Sequence, residues 1–273
     1  MTALAMPPVD QSAIARREAI VAGLTEIVGA HAVVGNEDER RAYETDALTA
    51  YRAVPLAVVL PRTTEEVAAV LRFLAKEGVK VVARGAGTSL SGGALPSPDA
   101  VVVGLARMNR ILSIDYDNRV ATVEAGVTNI AISNAVAHKG FFYAPDPSSQ
   151  LACTIAGNVA MNSGGAHCLK YGVTTNNVLG VKMVLIDGTI LEVGGAHLDA
   201  PSYDLLGLII GSEGQLGVVT EVTVRILRAA EGARPMLMGF ASAEAAGGCV
   251  AAIIASGIVP VAIEYMDGPA IKA

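Results

Sequence analysis

The chain has 273 residues, 20 basic and 26 acidic, for a net charge of −6. Apolar residues make up 52% and charged residues 17%, enough for a sizeable buried core and too apolar for intrinsic disorder. With no basic run there is no electrostatic case for nucleic-acid binding, and neither a collagen nor a heptad period runs through the chain.

The three cysteines (Cys153, Cys168, Cys249) are an odd number without CxxC spacing. Neither a disulfide framework nor a zinc site is expected, and a reducing, cytoplasmic compartment fits. The four histidines stand apart, none at metal-ligand spacing. Asp10 and Glu18 interrupt any apolar leader core, so no signal peptide is expected. The uncharged stretch Ala245–Ile263 contains Gly247, Gly248, Gly257 and Pro260, and reads as a short helix and a strand, not a membrane span.

In chain order, Ser12–Val28 reads as an amphipathic helix with Ile20, Leu24, Ile27 and Val28 on one face. A charged, turn-rich stretch covers Asn36–Arg41. Val54–Leu60, closed by Pro61, reads as a buried strand. Thr63 and Glu66 form a capping box before Val67, Val70, Leu71 and Leu74, Gly78 ends that helix, and Val79–Ala83 is the next strand. The unit is βαβ. Arg84–Pro96 is then a glycine-rich loop, but it runs through Pro96 and Pro98 into the strand-like Ala100–Ala106. A dinucleotide fold of the Rossmann kind needs a helix there, so that reading loses.

Hairpins follow. Ile111–Ile114 and Val120–Glu124 flank Asp115–Asn118, and Val181–Ile186 and Thr189–Val193 flank the Asp187-Gly188 turn. Between them Thr128 caps a short helix ending at Gly140. Gly217–Leu227 is a strong strand with alternating β-branched residues. Beyond Ala230 the pattern is strand (Pro235–Ala241), helix (Glu244–Ser256) and strand (Val259–Tyr265). The expected class is α+β, with the last part read as the incomplete start of a second domain.

Candidate chemistry concentrates in three places. Gly140–Gly180 contains only two charged residues, Asp146 and Lys170, and is rich in Gly, Asn, Ser and Thr. Such a stretch offers main-chain donors and neutral hydrogen-bonding groups to a large ligand, and equally makes ordinary turns. Arg84–Gly93 can form a nest of N–H groups for a pyrophosphate, or a plain strand connection. In Gly211–Glu221 a carboxylate, Glu213, lies between glycines just before a strand. Nucleophilic catalysis finds little support: Ser148-Ser149 lacks a nucleophile-elbow pattern, and no histidine stands in the context of a base.

Four pieces occur together and in order: ARGAGTSLSGG (Ala83–Gly93), PDPSS (Pro145–Ser149), TIAGNVAMNSGGAHCLKYG (Thr154–Gly172) and GSEGQLGVVTEV (Gly211–Val222). Together they resemble the FAD-binding domain of the vanillyl-alcohol-oxidase/PCMH flavoproteins, and within it the glycolate oxidase FAD-subunit and D-lactate dehydrogenase group. The resemblance covers about Val54–Leu227. It implies a helical segment over 1–50, a PCMH-type FAD domain of two α/β subdomains over 51–230, and over 231–273 the start of a truncated ferredoxin-like cap.

Carried over by position, Arg84, Gly85, Ala86, Gly87, Thr88 and Ser89 would cradle the FAD pyrophosphate through main-chain N–H groups. Pro145, Asp146 and Ser148 would lie along the flavin-ribityl region. Thr154, Gly157, Asn158, Ser163 and Gly165 would wall the isoalloxazine and pyrophosphate. Gly172, Glu213, Gly217 and Val219 would close the site. The family's Gly-Gly-Asn reads Ala156-Gly157-Asn158 here, and its usual Ala before Gly-Gly is Ser163. Ser89 and Leu90 stand where covalently flavinylated members carry a histidine, so non-covalent FAD is implied. The implied chemistry is hydride transfer from the Cα of a 2-hydroxy acid, glycolate or D-lactate, to flavin N5. The groups that bind substrate and metal in such enzymes come from the cap, so no residue here is assigned a catalytic or metal-binding role. The alternative is a non-catalytic FAD-binding module or assembly subunit. Implied partners are the hydroxy acid and further oxidase subunits that carry electrons onward, which could hold a cytoplasmic protein at the inner membrane.

Overall fold

The N-terminal helix breaks in two because Arg16 leaves helical geometry, at φ −93° and ψ 9°. In this computed structural model, which describes residues 8–197 and 203–273, α1 is Gln11–Ala15 and α2 is Arg17–Val28. Asp10 caps α1 by accepting the Ser12 N–H, and Arg16 reaches Glu77 at 2.7 Å. Ile20, Leu24 and Val28 are buried along α2 as their spacing requires, and Ile27 is half-buried. Strand β1 is Val33–Val34. The charged stretch after it is helical over Glu37–Arg40 (α3), against the turn expected there. Asn36 caps it, and three acids fill its first turn where the helix dipole favours them.

Ala57–Val59 forms β2 and Thr64–Glu77 forms α4. The Thr63 hydroxyl accepts the Glu66 N–H, while the Glu66 carboxylate takes the Arg62 N–H at 2.6 Å, one residue earlier than a standard capping box. Gly78, at φ 66°, ends α4 before β3 (Lys80–Arg84). Strand β4, Ala100–Gly104, inserts between the two strands of the βαβ unit, giving the order β1-β2-β4-β3 with β2, β4 and β3 parallel. All of β4 is buried, as its unbroken apolar run implies for a strand covered on both faces.

The second sheet is antiparallel. Hairpin β5 (Ile111–Asp115) and β6 (Val120–Glu124) is followed by α5 (Asn129–Val136), β7 (Phe141–Phe142), α6 (Ile155–Met161) and α7 (Cys168–Tyr171). Then come β8 (Val178–Val184), β9 (Ile190–Gly194), α8 (Leu205–Ile209), β10 (Val218–Arg225) and β11 (Leu227–Arg228). The order β5-β6-β10-β8-β9 puts the late strand β10 at the centre, and β11 pairs with β7. The two sheets share one core. The Thr64 hydroxyl at the start of α4 donates to that of Thr220 on β10 at 3.0 Å, both buried, and Arg72 of α4 donates to the Gly188 carbonyl.

Beyond β11, α9 (Ala243–Ala255) forms where a helix is expected, and α10 covers Gly268–Lys272. The strands expected over Pro235–Ala241 and Val259–Tyr265 do not form. A strand is stable only in a ladder, and neither segment pairs with either sheet. Met236 and Leu237 are 80% and 95% exposed. Among the described residues, no helix is long and apolar enough to cross a membrane.

Candidate functional site

The C-terminal ends of β3 and β4 meet α6 and the start of β10 around a cavity of about 270 Å³. One wall is the loop that leaves β3 at Arg84. Its main-chain N–H groups over residues 85–90 meet no protein acceptor among the described residues, so a run of unpaired donors lies in the wall of a largely uncharged enclosure. The fit against the opposite wall is close: a Cβ on Gly85 would lie 2.2 Å from Oγ1 of Thr154. Thr154 caps α6 through Gly157, so the glycine lets the loop reach the first turn of that helix. Gly87 adopts φ +71° above the guanidinium of Arg84.

Helix α6 supplies the second wall through Thr154, Ala156, Gly157, Asn158 and Met161. The amide of Asn158 is taken up inside the protein. It accepts from Asn129 Nδ2 at 3.0 Å and donates to the Ser163 hydroxyl at 3.2 Å, which fixes Ser163 at the cavity edge. The Ser163 hydroxyl is thus taken up inside the protein. The Ser163 carbonyl accepts both the N–H and the hydroxyl of Thr174.

The third wall, residues 211–219, hangs from the end of α6: the N–H groups of Gly211 and Glu213 donate to the carbonyls of Val159 and Ala160. Glu213 is held at φ +55°, a left-handed conformation that costs a side-chain-bearing residue about 1–3 kcal/mol. A Cβ on Gly217 would strike Met183 Cε and the Val184 carbonyl, so this turn too sits where only glycine fits. Glu213 and Arg84 are the two charged residues lining the cavity. Burial pushes the Arg84 guanidinium below its ordinary range, against the opposing pull of Asp46 and Tyr43.

Of the residues singled out in the sequence, Arg84 to Ser89, Thr154, Gly157, Asn158, Ser163, Glu213, Gly217 and Val219 line this cavity together. Pro145, Asp146, Ser148, Gly165 and Gly172 do not. Asp146 instead holds the segment leaving Ser163: its carboxylate accepts the His167 N–H at 3.0 Å and lies 2.9 Å from His167 Nδ1. A Cβ on Gly165 would lie 2.1 Å from the Asp146 carbonyl oxygen, so the two chains pass in contact. Gly172, at φ +76°, ends α7. Pro145 is buried and Ser148 exposed.

Sequence reasoning missed Ser149, Cys153, Met161, Ile209, Ser212 and Gly214, which also line the cavity. Ser149, Cys153, Ser212 and Gly214 each adjoin a residue that was singled out, so proximity was the available signal. Met161 meets Ser89 across 72 residues, and Ile209 comes from a helix that carries no motif. Among the described residues, no group of three or more His, Cys, Asp or Glu side chains could hold a metal ion, and all three thiols are free.

Comparison with known proteins decides the family. The family described as FAD binding domain matches residues 55–194, just over half of the chain. The chain belongs to this FAD-binding family. Its cofactor is FAD. The glycolate oxidase subunit GlcD of Escherichia coli K12 is 48% identical over 269 residues, covering 98% of this chain and 53% of that protein. The Bacillus subtilis glycolate oxidase subunit GlcD is 42% identical over 84% of this chain and 49% of its own length. The D-lactate dehydrogenase of Archaeoglobus fulgidus is 38% identical over 86% of this chain and 53% of its own. The chain therefore spans about half the length of these relatives. An alkyldihydroxyacetonephosphate synthase structure superposes with a TM-score of 0.78 over 95% of this chain and 48% of its own, at 21% identity, which shows the shared PCMH-type fold. The α+β architecture expected from the order of strands, helices and hairpins is thus that of the FAD-binding family.

The residues of the cavity fit the cofactor. A dinucleotide pyrophosphate needs donors at close range, and the wall from Gly85 to Leu90 offers uncommitted N–H groups on a glycine-rich backbone.

Proposed function

We propose that this chain forms the flavin half of an FAD-linked 2-hydroxy-acid oxidoreductase of the glycolate or D-lactate type. The observation that carries the reading is the run of uncommitted main-chain N–H groups over residues 85–90, closed in by Thr154 and by the turn at Glu213. In this reading Gly85, Ala86, Gly87, Thr88 and Ser89 hold the pyrophosphate. Thr154, Gly157 and Ser163 form the side of the site, with Asn158 orienting Ser163. Glu213, Gly217 and Val219 close it around the nucleotide. Pro145, Asp146, Ser148, Gly165 and Gly172 act one step away, by shaping the segments on either side of Ser163.

When bound, FAD would supply the two-electron acceptor for oxidation of a 2-hydroxy acid to the 2-oxo acid by hydride transfer. This chain's own residues bind and orient the cofactor. Neither charged residue of the cavity wall is placed as a base: Arg84 is bound to protein carbonyls, and Glu213 sits in the turn that closes the nucleotide side. In this reading the substrate hydroxyl proton goes to a group outside this cavity. Residues 51–230 are the FAD domain in this reading, 1–50 a helical lead-in and 231–273 the start of a substrate cap. The whole protein is cytoplasmic and passes electrons on through further oxidase subunits. Binding is non-covalent, with Ser89 and Leu90 offering no histidine for attachment.

A second reading is supported by the exposure of residues 231–273, where Ala246 is the one buried hydrophobic residue. On that reading this polypeptide by itself is a non-catalytic FAD module. An absorbance spectrum before and after denaturation and filtration tests the flavin assignment. Flavin in the filtrate supports it, and a colourless chain that FAD does not reconstitute overturns it. Turnover of glycolate or D-lactate with a dye acceptor by this chain alone overturns the module reading.

A further inference from the structure

The match to the FAD-binding family begins at residue 55, yet residues 43–48 pack against the glycine-rich loop that walls the cavity. The guanidinium of Arg84 lies 5.6 Å from the centre of the Tyr43 ring, and its Nη1 donates to the Thr45 carbonyl at 2.8 Å. The Ala47 N–H donates to the Gly87 carbonyl at 3.0 Å, and Leu48 lies beside Gly92. Asp46 is 4% exposed. Its Oδ1 accepts the Leu48 N–H and shapes this short segment, while its charge partly offsets that of Arg84. Arg84 also donates to the Ala94 carbonyl at 3.2 Å, so one side chain from the start of the glycine-rich loop ties down its end. The middle is held too: Gly87 stacks so closely over Arg84 that a Cβ there would lie 2.3 Å from Nη2.

We propose that residues 43–48 are a strap of the cofactor site, which shapes the loop at 84–93 from behind through Arg84. Arg84 is then a positioning residue for the FAD pyrophosphate and not one of its direct ligands. Its Nη1 alone reaches carbonyls of two different segments, while the rest of the planar guanidinium lies beside the Tyr43 ring and against Gly87, contacts that a compact lysine ammonium does not make. The strap fixes the direction of the free N–H groups of the loop before ligand arrives, and preorganised donors bind an anion without the cost of ordering the loop. The inference rests on the reading that FAD occupies this cavity.

The test is titration of the flavin-free chain with FAD, ADP and riboflavin, alongside its unfolding midpoint. For Arg84→Lys, the Kd for both FAD and ADP rises about tenfold, while riboflavin affinity and the midpoint hold. Tyr43→Leu, which lies outside both the cavity wall and the family match, shifts FAD and ADP the same way by about threefold and decides the case if Arg84→Lys does not fold. Unchanged FAD and ADP affinities in both variants overturn the strap. Equal weakening of all three ligands together with a fallen midpoint also overturns it, as a general structural role. A parent chain that binds neither FAD nor ADP overturns the occupancy reading and the strap with it. A parent that binds both, with both variants indistinguishable from it, overturns the strap alone.

Discussion

Gly85 follows β3 of the parallel sheet and Thr154 caps α6, and they pass so close that a Cβ on the first would lie 2.2 Å from the hydroxyl of the second. That hydroxyl caps α6, so Gly85→Ala forces either the loop outward or the cap apart. Gly85→Ala is expected to cost about 1–3 kcal/mol and to lower flavin occupancy. Adding Thr154→Ala removes the clashing oxygen, so the double variant should be less destabilised than the sum of the two singles. Denaturant unfolding of all four proteins measures this, and strict additivity would count against the contact.

Asn158 and Asn129 form a buried amide pair at 3.0 Å, each 2% exposed or less. Removing one side leaves a buried donor or acceptor unpaired, so Asn158→Ala is expected to cost about 1–3 kcal/mol. Because Asn158 also holds the Ser163 hydroxyl, FAD affinity should fall with it. Asn129→Ala leaves Ser163 its partner and should destabilise with a smaller loss of FAD affinity. Equal losses in the two variants would show that the amide pair has no separate role in placing Ser163.

The legible parts of this molecule were those in which chemistry is local. The glycine-rich loop, the Thr63 cap, the Asp187-Gly188 hairpin and the spacing in α2 and α4 each need only a few neighbouring residues to declare themselves. The four motifs also brought most of the cavity wall into view. What stayed hidden depends on distance along the chain. The motif that contains Met161 does not say that it meets Ser89 across 72 residues, and no motif marks Ile209 as part of the same cavity wall. The aspartate of the second motif, expected along the flavin-ribityl region, uses its carboxylate on His167 and stands outside the cavity wall. The strands expected over Pro235–Ala241 and Val259–Tyr265 have suitable composition, but composition does not supply the ladder partner a strand requires.

Gly164 and Gly165 separate two kinds of crowding. A Cβ on Gly165 meets the main chain of Asp146 at 2.1 Å, whereas one on Gly164 meets the side chains of Cys168 and Val173. Backbone cannot yield as a side chain can, so Gly165→Ala is expected to cost about 1–3 kcal/mol and Gly164→Ala less. The first should also loosen His167 from Asp146 and reduce flavin retention on gel filtration. Matching unfolding midpoints for the two variants would contradict the close passage at Asp146.

Asp99 gives a pH-dependent prediction away from the site. It is 1% exposed, lies 2.7 Å from Lys80 Nζ and accepts the Asp10 N–H at 2.8 Å, which ties the start of α1 to β3. Burial raises its pKa, but the hydrogen bonds from Asp10, Lys80 and Ser97 outweigh that, and the carboxyl is held well below the usual carboxylate range. A lowered folded-state pKa means that the unfolded chain takes up the proton first as pH falls. The stabilisation is therefore complete above the unfolded value near 4 and is lost as pH drops through the folded value. Asp99→Asn is expected to lower stability by about 1–3 kcal/mol at pH 7, with a gap to the parent that narrows steadily below pH 5. Urea unfolding of both proteins from pH 7 down to pH 3 checks the sign, and a gap that widens on acidification would mean the carboxylate is not stabilised in the folded chain.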